Sequence, residues 1–101
     1  MAFERIMGIY VSDQEEYQRY REGMMPILKA YGGAFGFDFE VSKVLLSKTE
    51  DDINRVFTID FPSQAVMEAF FSSDEYKAVQ QRHFTNSVKS KTVISMHEKL
   101  S

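Results

Sequence analysis

Cysteine is absent from this sequence. That removes disulfides, thiolate metal sites and cysteine nucleophiles in one step. Histidine occurs only twice, as His83 and His97, so a multi-histidine metal centre is excluded and a two-histidine one would need carboxylate help. Neither residue belongs to an HxxxH or HxxE pattern on a helix, and no metal and no cofactor are expected. There is also no basic excess: 12 Lys and Arg stand against 15 Asp and Glu, for a net charge of −3. A nucleic-acid backbone requires a basic face, and the one local concentration, Lys89–Lys91, is too short to supply it. No apolar run approaches the ~18 residues of a membrane helix. Glu4 and Arg5 interrupt what would be the apolar stretch of a signal peptide. The expected protein is cytoplasmic, with neither nucleic acid nor membrane as partner. The acidic groups Asp13–Glu16 and Glu50–Asp52 read as a helix start and a solvated loop.

What is plentiful is aromatic core material, with nine Phe and five Tyr among 101 residues. The chain reads as one domain, residues 1–101, small enough to bury only ~60–65% of its unfolded surface. Its organising stretch is Arg55–Gln81. In a strand over Arg55–Phe61, Phe57, Ile59 and Phe61 share one face by period-two alternation. Pro62 ends it for want of an N–H, and Ser63 caps a helix over Gln64–Phe71 carrying a Val66, Met67, Phe70, Phe71 stripe. Ser72 with Glu75 has capping-box spacing and predicts a second helix, Asp74–Phe84.

Upstream, Phe3–Val11 predicts a strand apolar on both registers, with Gly8 marking a bulge or a close neighbour. Overlapping capping boxes at Ser12 and Asp13 open a helix that runs to about Tyr31. Its inner stripe is Tyr17, Tyr20, Met24, Ile27, Leu28 and Tyr31, and Pro26 predicts a kink near Gly23–Pro26. Gly32-Gly33 ends it. A strand comes next over Phe35–Leu46, with Phe35, Phe37, Phe39 and Val41 on one face, and a polar loop, Ser47–Asn54, closes a hairpin. Lys91–Leu100 is the last strand.

The order β-α-β-β-α-β predicts an α+β, ferredoxin-like plait: a four-stranded antiparallel sheet with helices on one face. Ile6, Tyr10, Val56 and Val93 then point to the helix-free face, which a second copy would cover. Three pieces together carry a resemblance: Tyr31-Gly32-Gly33, Asp60-Phe61-Pro62-Ser63, and Ser72-Ser73-Asp74-Glu75-Tyr76 with Arg82 beyond it. From Ile9 to about Met96 the chain resembles the proteins called domain of unknown function 1330, within the dimeric α/β-barrel superfamily. The resemblance implies two ferredoxin-like subunits pairing sheet to sheet, with a pocket between sheet and helices in each. Ala34-Phe35-Gly36-Phe37 departs from the basic and glycine residues that often come after the double glycine in that family.

For a site, His83 is the candidate general base, on a stripe with Tyr76 and Val79. The alternative is a histidine satisfied by a backbone carbonyl. Arg82 matches an arginine position of the resembled family, and could hold a carboxylate or enolate or pair with Glu75 or Glu98. Tyr17 and Tyr20 offer hydroxyls to a ligand, or serve as amphipathic core residues. Phe37, Phe57 and Phe70 would form the apolar wall. Three functions are compatible: a homodimer binding a small apolar or aromatic molecule, a cofactor-independent oxygenase or isomerase for an enolisable or aromatic substrate, or a dimer with no ligand.

Overall fold

The structure, a computed structural model, describes residues 2–99. Strand β1 (Ala2–Val11), helix α1 (Gln14–Ala30), strands β2 (Ala34–Glu40) and β3 (Arg55–Phe61), and helices α2 (Gln64–Ser72) and α3 (Asp74–Val79) succeed one another along the chain. A wide π-helical turn (Gln80–Phe84) and a last short turn α4 (Thr85–Ser87) lead into β4 (Val88–Lys99). All pairings are antiparallel, and the sheet order is β2-β3-β1-β4. This is the ferredoxin-like plait expected from the element order.

Phe3, Met7, Ile9 and Val11 of β1 and Phe57, Ile59 and Phe61 of β3 are buried against Tyr17, Tyr20, Met24 and Leu28 of α1 and Met67 and Phe70 of α2. Phe70 is 0% exposed and meets Tyr31, Phe61, Phe71 and Tyr76 with ring centroids 4.8–5.6 Å apart. Side chains of this kind contribute ~1.5–3 kcal/mol each through burial, so this aromatic cluster is a main anchor of α2.

Helix α1 is continuous through Pro26, as the stripe periodicity required. Asp13 provides its N-cap, accepting from the Glu16 N–H at 3.0 Å. Ser12 is used elsewhere: its N–H and hydroxyl both donate to the Ser87 carbonyl. At the other end Gly33 N–H bonds to the Leu28 carbonyl and Gly32 N–H to that of Lys29. That closes a Schellman motif, and Gly32 takes the left-handed φ of 76° that it requires.

Several boundaries differ from the sequence reading. The cap of α3 is Ser73 rather than Ser72: its hydroxyl accepts from Tyr76 N–H at 3.2 Å and donates to the Phe70 carbonyl at 2.7 Å, stitching the two helices together. Strand β4 starts earlier, at Val88, and the end expected at Leu100 lies outside the described residues.

The largest correction is β2, which stops at Glu40 instead of Leu46. Its ladder ends because its neighbour ends: the Asn54 carbonyl still accepts from Val41 N–H at 2.8 Å, but the Asn54 N–H goes to Ile9 O of β1 at 2.9 Å. The Asn54 side chain bonds both the N–H and the carbonyl of Val11. The loop after Glu40 lays Ile53 over Gly8 and leaves Leu45 and Leu46 87% and 93% exposed.

Within β2 the simple alternation also fails. Phe35 pairs with Ile59 but Asp38 pairs with Phe57, so an extra residue is accommodated opposite Thr58. This bulge reverses the facing of every later residue of the strand. Phe35 stays on the helix side, Asp38 joins it, and Phe37 and Phe39 stack on each other with centroids 5.7 Å apart on the opposite face. They are 62% and 56% exposed. A groove beside the loop continues this apolar face through Val44, Ile53, Val56, Val93 and Ile94. His97 bridges Ser95 and Glu4 at 2.6 and 2.9 Å.

Candidate functional site

A cavity of about 280 Å³ lies between sheet and helices. The floor comes from Met7 and Ile9 of β1, Phe35 of β2, and Phe57 and Ile59 of β3. Its roof is formed by Tyr17, Tyr20 and Met24 of α1 and by Phe71, Tyr76, Gln80 and Phe84 from the helices after β3. Strand alternation sets the floor and the α1 stripe sets half of the roof. The wide turn at Gln80–Phe84 brings both of its end residues to the wall, a use to which such turns are often put.

Two cations enter this wall, Arg5 and Lys91, and it contains no aspartate, glutamate or histidine. Arg5 lies on the helix-facing register of β1, with its guanidinium carbon 4.6 Å above the Phe71 ring. Its Nε is sealed from solvent without a hydrogen-bond partner among the described residues. Burial draws the guanidinium pKa down, while Tyr76 and Tyr20 act in the other direction; arginine remains charged regardless.

The phenols are held in their protonated form. Burial raises the pKa of Tyr17, of Tyr76 and, most strongly, of Tyr20. Tyr20 and Tyr76 hydroxyls bond each other at 2.8 Å. One such bond uses one of their two protons, so the pair keeps a donor to offer.

At one side of the cavity Asp38 holds two arginines. Arg55 reaches both of its oxygens, at 2.9 and 2.6 Å, and Arg21 reaches one at 3.0 Å. The hydrogen bond from Arg55, reinforced by that from Arg21, holds the Asp38 carboxyl below the usual range against the opposing effect of burial. The same arginines lie over aromatic rings, Arg55 on Tyr17 at 4.8 Å and Arg21 on Phe35 at 3.8 Å. They brace α1 against β2 and β3 and are occupied in doing so.

Of the residues anticipated from sequence, Tyr17, Tyr20 and Phe57 meet in this wall. Phe70 is behind it, enclosed in the core. Phe37 is on the other face of the sheet, because of the bulge. Arg82 is exposed on the wide turn, outside the wall. The placement of His83 at the polar end of the cavity is also corrected: its Nδ1 lies 3.1 Å from Glu16 Oε2, outside the wall. The wide turn displaces it from the Tyr76 stripe that regular helical spacing implied.

Sequence reasoning missed Arg5. Its signal was available: Phe3, Arg5, Met7 and Ile9 share one parity, so a strand buried along that register must bury a charge.

Among the described residues no cluster of three or more potential ligands could hold a metal, and no helix is long and apolar enough to cross a membrane. No curated protein matches the sequence. Solved structures match the fold throughout. A protein of unknown function from Rhodopseudomonas palustris superposes with a TM-score of 0.80 at 15% identity, over 99% of this chain and 83% of that one. A dabb-family protein with a ferredoxin-like fold from Mesorhizobium loti gives 0.67 at 16% identity, over 99% and 98%. A dimeric protein of unknown function with a ferredoxin-like fold from Bacteroides fragilis gives 0.62 at 11% identity, over 97% and 96%. At these identities the likeness is one of fold. Residues 5–96, nearly the whole chain, match the model of the family described as domain of unknown function (DUF1330), and the chain belongs to that family.

Proposed function

We propose that this protein is a homodimer that binds a small aromatic molecule in the cavity between sheet and helices. The observation that carries the reading is the wall itself: an apolar enclosure of about 280 Å³ into which a few polar groups, Arg5, Gln80 and the tyrosine pair, converge. Ligand sites combine these features. A cofactor-independent oxygenase or isomerase would need a base to enolise its substrate. His83 is turned to Glu16, no histidine or carboxylate lines the wall, and its tyrosines are held protonated by burial, so binding, not turnover, is the activity proposed. A cytoplasmic location belongs to the same proposal.

The dimer is supported by the stacked Phe37 and Phe39 and the groove beside them, which one copy alone leaves in water. A patch of that character favours a partner surface, and a relative of the same fold is described as dimeric.

Methionine methyl NMR tests the cavity. Met7 and Met24 line it, whereas Met25 is on the outer side of α1. Titration with 2-naphthoate and 2-naphthamide should shift the Met7 and Met24 methyls and leave Met25 in place. No movement at Met7 and Met24 with either compound, or movement at Met25 alone, would overturn the cavity as the binding site.

A further inference from the structure

We infer that the cavity selects anions: its ligand is a small aromatic carboxylate, with the ring between sheet and helices and the carboxylate on the Arg5 guanidinium. The inference rests on the cavity being a binding site at all, and it adds charge and orientation to that reading.

The first argument is the charge of the wall. Arg5 and Lys91 both face the space, and no acidic side chain does. Elsewhere near the sheet the arginines are paired: Arg21 and Arg55 share Asp38, which compensates the charge of Arg21 although its Nε, like that of Arg5, has no acceptor among the described residues. Arg5 forms no ion pair with any described acidic residue, and its Nε has no acceptor among them. A guanidinium that is partly desolvated and incompletely bonded is costly to keep. A carboxylate arriving from the cavity supplies an acceptor to the terminal guanidinium nitrogens, which are not sealed as Nε is, in the planar geometry that arginine pairs with best.

The second argument is hydrogen-bond polarity. The Tyr20–Tyr76 pair retains one O–H to donate, and burial keeps both hydroxyls protonated. An ammonium ligand would meet two cations, whereas a carboxylate meets the guanidinium and the phenols. The third is size: about 280 Å³ is at the lower end of ligand pockets, which restricts the occupant to one or two rings.

The experiment compares three probes of one shape: 2-naphthoate, neutral 2-naphthamide and the 2-naphthylmethylammonium cation. Calorimetry on the wild-type dimer should give naphthoate at least tenfold tighter than naphthamide, with the ammonium weakest. Arg5→Gln should lower naphthoate affinity at least tenfold and leave naphthamide within threefold. Equal affinity for naphthoate and naphthamide in the wild type would overturn the anion inference while leaving the cavity reading standing. Binding of none of the three, with still Met7 and Met24 methyls, would overturn both. Unchanged naphthoate affinity in Arg5→Gln would overturn Arg5 as the seat. If Arg5→Gln does not fold, the side-chain nitrogen resonances of Arg5 in the wild type decide. They should move with naphthoate and hold still with naphthamide, and the absence of that difference would overturn the proposal.

Discussion

The Thr58 hydroxyl accepts a hydrogen bond from the Phe37 backbone N–H at 2.8 Å. In this way a side chain replaces the ladder partner that Phe37 loses at the bulge. Gly36 beside it leaves the room: a Cβ there would lie 2.6 Å from the same Thr58 oxygen. The contact decides which aromatic residues face the cavity and which face outward. Thr58→Val keeps the shape but removes the acceptor, leaving the Phe37 amide without its partner. Water can reach this exposed amide, so a loss of about 0.5–1 kcal/mol is expected in a urea melt, together with chemical-shift changes confined to β2. A melt identical to wild type would show that the bulge is held by other means.

Phe37 and Phe39 are the centre of the proposed contact between copies. Phe37→Glu with Phe39→Glu should leave the fold intact, because both side chains are more than half exposed. The double variant should scatter light as a single chain of 11.7 kDa, against twice that for wild type. A wild-type protein that is monomeric at micromolar concentration, or a double variant that remains dimeric, would refute a contact through this face.

Asp38 predicts an acid limb in stability. Its carboxyl has a depressed pKa when folded, owing first to the Arg55 hydrogen bond. The unfolded chain therefore binds the proton more readily as pH falls from about 5. The stabilisation is fully present above the ordinary aspartate pKa of about 3.9 and is lost as pH descends through the lower folded value. Urea melts from pH 6 to pH 2.5 should show a steeper acid decline in wild type than in Asp38→Asn. Parallel curves would mean that the two arginines do not discriminate between the forms of Asp38.

For His83 the expectation is that ligand binding survives its removal. Its ring is engaged by Glu16 outside the cavity wall, so His83→Ala should bind 2-naphthoate within twofold of wild type. A tenfold loss would return His83 to the site.

Much of the fold was legible because local signals agreed with each other. The alternation in Arg55–Phe61, the Pro62 stop, the Ser63 cap and the Gly32-Gly33 terminator each had one physical solution, and each recurs in the structure. The illegible parts depended on partners distant in sequence. The alternation of Phe35, Phe37 and Phe39 could not reveal a bulge whose partner, Thr58, lies 21 residues beyond Phe37. Nor could it show that Asn54 would give its N–H and its side chain to the end of β1 and only its carbonyl to Val41. The cavity divided in the same way: the α1 tyrosines were found from helical spacing, whereas His83 was misplaced by a turn that is not α-helical. Arg5 was less legible because its burial depends on a residue distant in sequence, Phe71, whose ring lies 4.6 Å from the guanidinium carbon.

The turn at Gln80–Phe84 has a bearing on how such proteins can diverge. A π-helical turn is an α-helix with one additional residue wound into it. Deleting one residue would restore ordinary winding with little rotation of the segment beyond it, because about five residues of the wider winding sweep nearly the same angle as four of the ordinary one. Gln80 and Phe84, both in the wall, would then stand three positions apart, still on one side of the helix but drawn closer together. A one-residue change of chain length at this turn would therefore alter the shape of that side of the cavity and leave its chemistry largely as it is.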